Sequence, residues 1–315
     1  MSLKRDIIHK NENMKEEKNY DAVIIGGSYA GLSAALTLGR ALRNVLVVDS
    51  GRPCNRQAPH SHNFLTQDGS TPAEISALGK DQVMKYPTIT YLNDEVTAVK
   101  GEDNNFVIVL SETGEVKAKK ILFSTGVKDL MPALKGFTEC WGISVIPCPY
   151  CHGYEYKNLP TGILANGNDA FDFARLINNW TGDLTIFTDG KCTISDINRQ
   201  QLSNKKIVII EKELLEIEHT GGQLDRLIFT DGTAHKLDVL YTRVPFEQHC
   251  KIPEQMGCKL NEMGHLVIDQ SQKSSVAGVY AAGDNTIKMR SVSSAVASGN
   301  FAGAVINHEL IIENF

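Results

Sequence analysis

Two cysteines three positions apart, in Cys148-Pro149-Tyr150-Cys151, form the most reactive pattern in the chain. A disulfide across such a short loop can open and re-form by thiol exchange. The same spacing can supply half of a zinc site, but zinc needs a second pair of ligands. Cys54, Cys140, Cys192, Cys250 and Cys258 all lie singly, which favours redox chemistry over zinc. Two buried cysteines with no chemistry remain a third reading. His152 follows the pair directly, where an imidazolium can stabilise a thiolate or protonate a leaving one. A solvated surface histidine is the plain alternative. His60 and His62 read as structural first.

A second chemical pattern lies at Gly26-Gly27-Ser28-Tyr29-Ala30-Gly31. It differs from the dinucleotide fingerprint G-x-G-x-x-G at one place. Gly26 supplies the tight turn and Gly31 lets helix and strand approach closely. Ser28 replaces the middle glycine; it costs some clearance and adds a hydroxyl for phosphate oxygen. Asp49 stands 18 residues after Gly31. There a carboxylate would accept adenosine ribose hydroxyls, and backbone N–H groups of the helix from Tyr29 would face a pyrophosphate. Near the other end, Gly283-Asp284 closes an apolar run, where a carboxylate can hold the hydroxyls of a flavin's ribityl chain; taken alone, a surface aspartate after a glycine turn is the plainer alternative.

These residues need a frame. Tyr20 to Ile25, a glycine turn, a helical stretch (Leu32, Ala35, Leu36) and Val45 to Val48 spell strand, turn, helix, strand. Pro72 to Lys85 reads as a helix. Glu95 to Val99, Phe106 to Leu110 and Glu115 to Ala118 read as an antiparallel excursion before a buried strand at Lys120 to Phe123. A second βαβ-like unit begins at Gly162 and runs through the helix Ala170 to Ile177 to Leu184–Phe187. Further strands are expected at Lys206 to Ile210, Arg226 to Thr230, Val239 to Thr242 and Gly278 to Ala282, then a last helix over Val292 to Ile306. Two such units imply an α/β fold of two Rossmann-like, three-layer ββα nucleotide-binding domains, one inserted in the other. The plausible crossings are Lys128 to Pro132 and Thr242 to Pro245.

A net charge of −5 argues against nucleic acid as a partner, since phosphate binding wants a basic surface. No run approaches the roughly 18 apolar residues of a membrane span. Residues 1–18 are polar, lack the apolar region of a secretory signal and are expected to be a mobile leader. A cytoplasmic location is expected.

In order, the motifs IIGGSYAGLSAAL, VVDSG, FSTG at Phe123 to Gly126, CPYCHGYE and GVYAAGD resemble the low-molecular-weight thioredoxin reductases. HSHNFLTQDG, CPYCHGYE and LTIFTDG are similar to a subgroup that includes the dithiol oxidases of gliotoxin and holomycin. The resemblance implies an FAD domain of 19–130 with 243–315, and a central pyridine-nucleotide-type domain of 131–242 carrying the cysteines. It implies FAD contacts at Gly26, Ser28, Ala30, Gly31, Asp49, Ser50, Thr125, Gly126, Gly283, Asp284 and Val292. It also implies catalysis by Cys148 and Cys151, a homodimer, and no metal. In the family the second cysteine, here Cys151, faces the flavin; the first, here Cys148, exchanges with substrate.

Three departures stand out. His152 replaces the family's aspartate, and Arg290-Ser291-Val292 replaces Arg-Gln-Ala. The third lies in the NADPH fingerprint, which reads Ala165-Asn166-Gly167-Asn168-Asp169-Ala170. Ala165 is expected to strain the turn, Asp169 brings negative charge near a pyrophosphate, and no arginine pair follows Leu184 to Phe187. NADP(H) is therefore expected to bind poorly or not at all. The reading is an FAD-dependent thiol–disulfide oxidoreductase whose partner is a thioredoxin-like protein or a small-molecule dithiol or disulfide. The rivals are an oxygen-dependent oxidase of a small dithiol and a non-catalytic flavin sensor.

Overall fold

Apolar, β-branched runs pair side by side to build the first sheet. In the computed structural model, which describes residues 19–315, β1 (Asn19–Ile25) is followed by α1 (Tyr29–Arg40) and β2 (Val45–Asp49). Then come α2 (Pro72–Val83), β3 (Ile89–Asn93), β4 (Val96–Glu102), β5 (Asn105–Leu110) and β6 (Gly114–Phe123). The expected leader, 1–18, lies outside the described residues. Strands run β3-β2-β1-β6-β5-β4, and β17 (Val279–Ala281) joins on the end half of β6. β1, β2, β3, β6 and β17 are parallel, while β4 and β5 run antiparallel as the excursion.

Parallel strands must be covered on both faces. The two-residue period of β1 serves this need: Ala22 and Ile24 face α1 and the long final helix α8 (Val292–Asn314), while Val23 and Ile25 face Phe106, Ile108 and Phe123. α8 crosses α1 closely because Gly299 has no side chain; a Cβ there would sit 2.0 Å from Ala30 O.

The chain leaves this sheet through β7 (Val127–Asp129) and returns through β16 (Phe246–Gln248), and the two pair antiparallel. Between them lie α3 (Phe137–Cys140), β8 (Val145–Ile146), α4 (Pro149–His152), β9 (Thr161–Leu164), α5 (Gly167–Ile177) and β10 (Leu184–Phe187). There follow α6 (Asp196–Asn204), β11 (Val208–Ile210), β12 (Leu214–Thr220), β13 (Gln223–Phe229), β14 (Ala234–Lys236) and β15 (Val239–Thr242). A second parallel sheet, β11-β10-β9-β15-β8, backs onto α5 through Phe173, Ala174 and Ile177. β12-β13-β14 form a separate antiparallel sheet. A short helix, α7 (Ile252–Gln255), packs on the first sheet. No helix among the described residues is long and apolar enough to cross a membrane.

Three expectations change. Glu115–Ala118 and Lys120–Phe123 are one strand, because buried Lys120 is neutralised by Asp103 and Glu313 instead of breaking it. The last helix continues past Ile306 to Asn314. The strand expected at Arg226 to Thr230 is the middle of a three-stranded meander, whose alternation was too irregular to read.

Candidate active site

A cavity of about 790 Å³ opens at the ends of β1, β2 and β6 and extends to α4. Gly26 turns the chain with φ +102°, and a Cβ there would lie 2.4 Å from Ser124 O. Ser28, the N-cap of α1, makes no capping bond with its side chain and lines the cavity. Ala30 and Ser50 line it too, whereas Gly31 does not reach the wall. Gly31 lets α1 meet the turn instead: a Cβ there would be 1.9 Å from Gly26 O.

Asp49 ends β2 on the cavity wall, with both oxygens engaged. Gly27 N–H donates to Oδ1 at 3.0 Å and the Tyr91 hydroxyl donates to Oδ2 at 2.9 Å. Burial, then the Asp49 charge, pushes the Tyr91 phenol far up. Lys80 lies 3.7 Å above the same ring. Sequence reasoning missed Tyr91 because nothing local ties a strand tyrosine to an acid 42 residues away.

Thr125, Gly126, Gly283, Asp284 and Val292 line the same cavity, and Thr125 and Gly283 lie against the fingerprint itself: a Cβ at Gly26 would be 3.1 Å from Thr125 N, and one at Gly283 3.1 Å from Ala30 Cβ. Thr125 Oγ1 is buried with no hydrogen-bond partner among the described residues. Such an orphan in a cavity wall needs a polar ligand. Gly283 takes φ +90°, and its N–H donates to Ser298 Oγ at 3.1 Å. Asp284 is raised by burial, an effect the nearby Arg290 opposes. The Cys54 thiol points at Asp284 Oδ2 from 3.7 Å, and burial followed by the Asp284 charge pushes it up to about 12. Arg290 pairs with Asp129 at 2.8 Å beside the start of α8, and Ser291 Oγ caps that helix by accepting from Ser294 N–H.

Cys148 and Cys151 form a disulfide with Cα atoms 5.4 Å apart, and both line the same cavity. Cys148 is the N-cap of α4 and Pro149 starts its single turn. The Cys151 N–H donates to Cys148 Sγ at 3.2 Å. That donor favours a thiolate on Cys148 once the bond opens. His152 also lines the cavity. Burial lowers its proton affinity, the Glu155 carboxylate opposes this, and His62 adds to it. His62 is no mere loop residue. Its Nε2 lies 3.5 Å from Glu155 Oε1 and its Nδ1 3.7 Å from Asp68 Oδ1. His60 Nδ1 pairs with Gly69 O at 2.9 Å, a structural contact.

The second fingerprint is built differently from expectation. The left-handed turn falls on Gly167, φ +61°, so Ala165 needs no positive φ and is not strained. Asn166 caps α5, its Oδ1 accepting from Gly167 N–H at 2.8 Å and Thr193 N–H at 2.8 Å. Its amide donates to Thr188 O and Lys191 O. The 188–193 loop is thereby clasped onto the helix start. Asp169 stands exposed in the first turn. Arg199, the nearby guanidinium, is consumed by Glu211 and the carbonyls of Cys192 and Ile194.

The family model described as pyridine nucleotide-disulphide oxidoreductase matches residues 20–299. A probable thioredoxin reductase of Arthroderma benhamiae is 30% identical over 96% of this chain and 83% of its own. A solved oxidoreductase of Agrobacterium tumefaciens is 34% identical with TM-score 0.88, covering 93% of this chain and 99% of its own. A putative thioredoxin reductase of Bacillus anthracis is 32% identical with TM-score 0.89, covering 94% and 100%.

Proposed function

The chain belongs to the pyridine nucleotide-disulphide oxidoreductases, and on that premise we propose that it is an FAD-dependent, thioredoxin-reductase-like enzyme working through Cys148 and Cys151. The observation that carries this reading is one shared cavity: the disulfide forms a wall of the space that the N-terminal fingerprint opens. The residues fit FAD. Close backbone approach at Gly26, the uncapped Ser28, the orphaned Thr125 hydroxyl and the half-buried Asp284 offer what a pyrophosphate and a ribityl chain require. Asp49 would receive ribose hydroxyls at an orientation set by Tyr91. FAD, when bound, supplies the two-electron chemistry that links the pair to its final donor or acceptor.

The protein's own residues handle sulfur and protons. A thiolate of an incoming dithiol attacks Cys148 Sγ, the Cys148–Cys151 bond breaks, and Cys151 leaves as thiolate. The second substrate thiol then resolves the mixed disulfide, so the substrate loses two electrons and the pair gains them. His152, whose proton affinity burial lowers while Glu155 opposes it, is placed on the cavity wall to accept a thiol proton. In the reductive direction Cys148 thiolate attacks an external disulfide and Cys151 resolves it.

The central fingerprint does not fit NADP(H). The Asn166 clasp, exposed Asp169 and committed Arg199 leave no phosphate cradle of the usual kind. This favours a dithiol as electron source, whether a thioredoxin-like protein or a small molecule. The division into an FAD domain (19–130 and 243–315) and a central domain (131–242) is supported by the two separate parallel sheets. A cytoplasmic location accords with five unpaired cysteines. A homodimer accords with Phe301, Ile311 and Ile312 exposed on α8. The test is anaerobic stopped-flow reduction of the flavin by NADPH and by dithiothreitol at matched concentrations. Dithiothreitol should be far faster; rapid, saturable reduction by micromolar NADPH would overturn the NADP(H) reading.

A further inference from the structure

The cysteine pair stands on α4, a single turn that its own hydrogen bonds hardly secure. The backbone closes through Cys151 N–H to Cys148 O at 3.3 Å and Gly153 N–H to Pro149 O at 2.7 Å. One turn fixes too many dihedrals for so few bonds to hold its shape alone. A side chain from elsewhere covers it. The Trp180 indole meets the Tyr150 ring with centroids 5.6 Å apart and planes at 88°, the edge-to-face arrangement that aromatic rings favour. It also lies on Gly153, where a Cβ would stand 2.9 Å from Trp180 Nε1 and 2.4 Å from Pro149 O, so only glycine admits the indole so closely. Cys148 and Cys151 line the cavity, whereas Tyr150, Gly153 and Trp180 do not.

Trp180 is itself held in place. Its N–H donates to Ile177 O at 2.9 Å, at the end of α5, and its carbonyl accepts from Asn158 N–H at 3.0 Å. The neighbouring Thr181 hydroxyl donates to Leu159 O at 3.0 Å. The indole thus projects from the end of α5 while its backbone grips the chain that leaves α4. We propose that Trp180 is a positioning residue for the Cys148–Cys151 pair, its indole bracing the turn through Tyr150 and Gly153 so that the two sulfurs stay within bonding range. None of these contacts passes through a sulfur atom, so the brace persists when the disulfide opens. A braced dithiol keeps its sulfurs together, while a loose one spreads over conformers that must be surrendered on closure. The brace therefore favours the disulfide over the dithiol.

This inference rests on the proposed thiol–disulfide reading, and one experiment separates their failures. The full-length protein is equilibrated without oxygen in mixtures of reduced and oxidised dithiothreitol. Each reduced dithiothreitol closes its own ring disulfide and gives two electrons and two protons to the pair. After an acid quench, free thiols are capped with N-ethylmaleimide and the peptide carrying Cys148 and Cys151 is scored by mass. Trp180→Ala should shift the equilibrium toward dithiol by about three- to tenfold, the range that an aromatic pair contact supports. Trp180→Phe keeps a ring and should stay within about twofold of wild type. Tyr150 is 57% exposed, so Tyr150→Ala leaves the fold intact and should shift the equilibrium in the same direction; it decides the matter if Trp180→Ala does not fold. The double variant should shift no further than Trp180→Ala alone, since both changes remove one contact. A Trp180 that serves stability alone would lower the melting midpoint and leave the equilibrium unmoved, which overturns the proposal. So would single effects that multiply in the double variant. A wild-type pair that stays oxidised in every mixture would overturn the thiol–disulfide reading itself, and this inference with it.

Discussion

Gly31→Ala perturbs the fingerprint without touching the cavity wall. A Cβ at this position would lie 1.9 Å from Gly26 O, whereas real contacts of this kind stay above 3.0 Å. The gap must open by roughly 1 Å, and what stands opposite is backbone, not a flexible side-chain end. Overpacking of this sort costs about 1–3 kcal/mol. Alanine recovers up to about 1 kcal/mol of helix propensity, less in a first turn. The net expectation is a loss of roughly 2 kcal/mol, or about 5 °C in melting midpoint. Because Gly26 bounds the cavity, the displacement should also release flavin. Gly79→Ala is the control: it lies inside α2, and its nearest neighbour is the Leu32 Cδ1 methyl at 3.3 Å. That methyl can yield, so the control should stay within about 1 kcal/mol of wild type. The assay is thermal unfolding together with flavin content after gel filtration. Equal stability and equal flavin in both variants would refute the close-approach reasoning.

Lys120→Met should destabilise the protein by about 3 kcal/mol in urea unfolding, since it leaves Asp103, Glu309 and Glu313 facing one another without their buried cation. A loss below about 1 kcal/mol would mean the carboxylates are well enough solvated to stand alone. Stability should also fall on acidification below about pH 6.5. Burial lowers His152, His235 and His265 in the folded protein, so the unfolded chain binds more protons there and gains on acidification. Raised Asp284 opposes this as a single group. Urea midpoints at pH 5.5 and 7.5 check the sign, and a higher midpoint at pH 5.5 would refute it.

The patterns that were legible from sequence are those whose parts lie close along the chain. Gly26, Ser28 and Asp49 belong to one βαβ unit, and Cys148, Cys151 and His152 to one turn. Their local spacing already pointed to the proposed chemistry, and the structure brings them to one cavity. What stayed hidden is long-range. Tyr91 reaches Asp49 only once β2 and β3 pair, and Cys54 reaches Asp284 and His62 reaches Glu155 only once distant parts of the chain are folded together. His62 read as structural because a lone loop histidine shows no partner until the fold supplies one. The α4 turn over Pro149–His152 is too short to show helical periodicity. Ala165 misled in the other direction, since the turn shifts its left-handed residue by two positions, to Gly167.

The central claim is that electrons pass between the Cys148–Cys151 pair and a flavin held in the shared cavity. The most direct measurement is an anaerobic titration of the purified yellow protein with dithiothreitol, following the flavin absorbance in wild type, Cys148→Ser and Cys151→Ser. Wild type should bleach, and both variants should keep their flavin yet resist bleaching. A colourless protein, or a Cys151→Ser variant that bleaches as fast as wild type, would contradict the account.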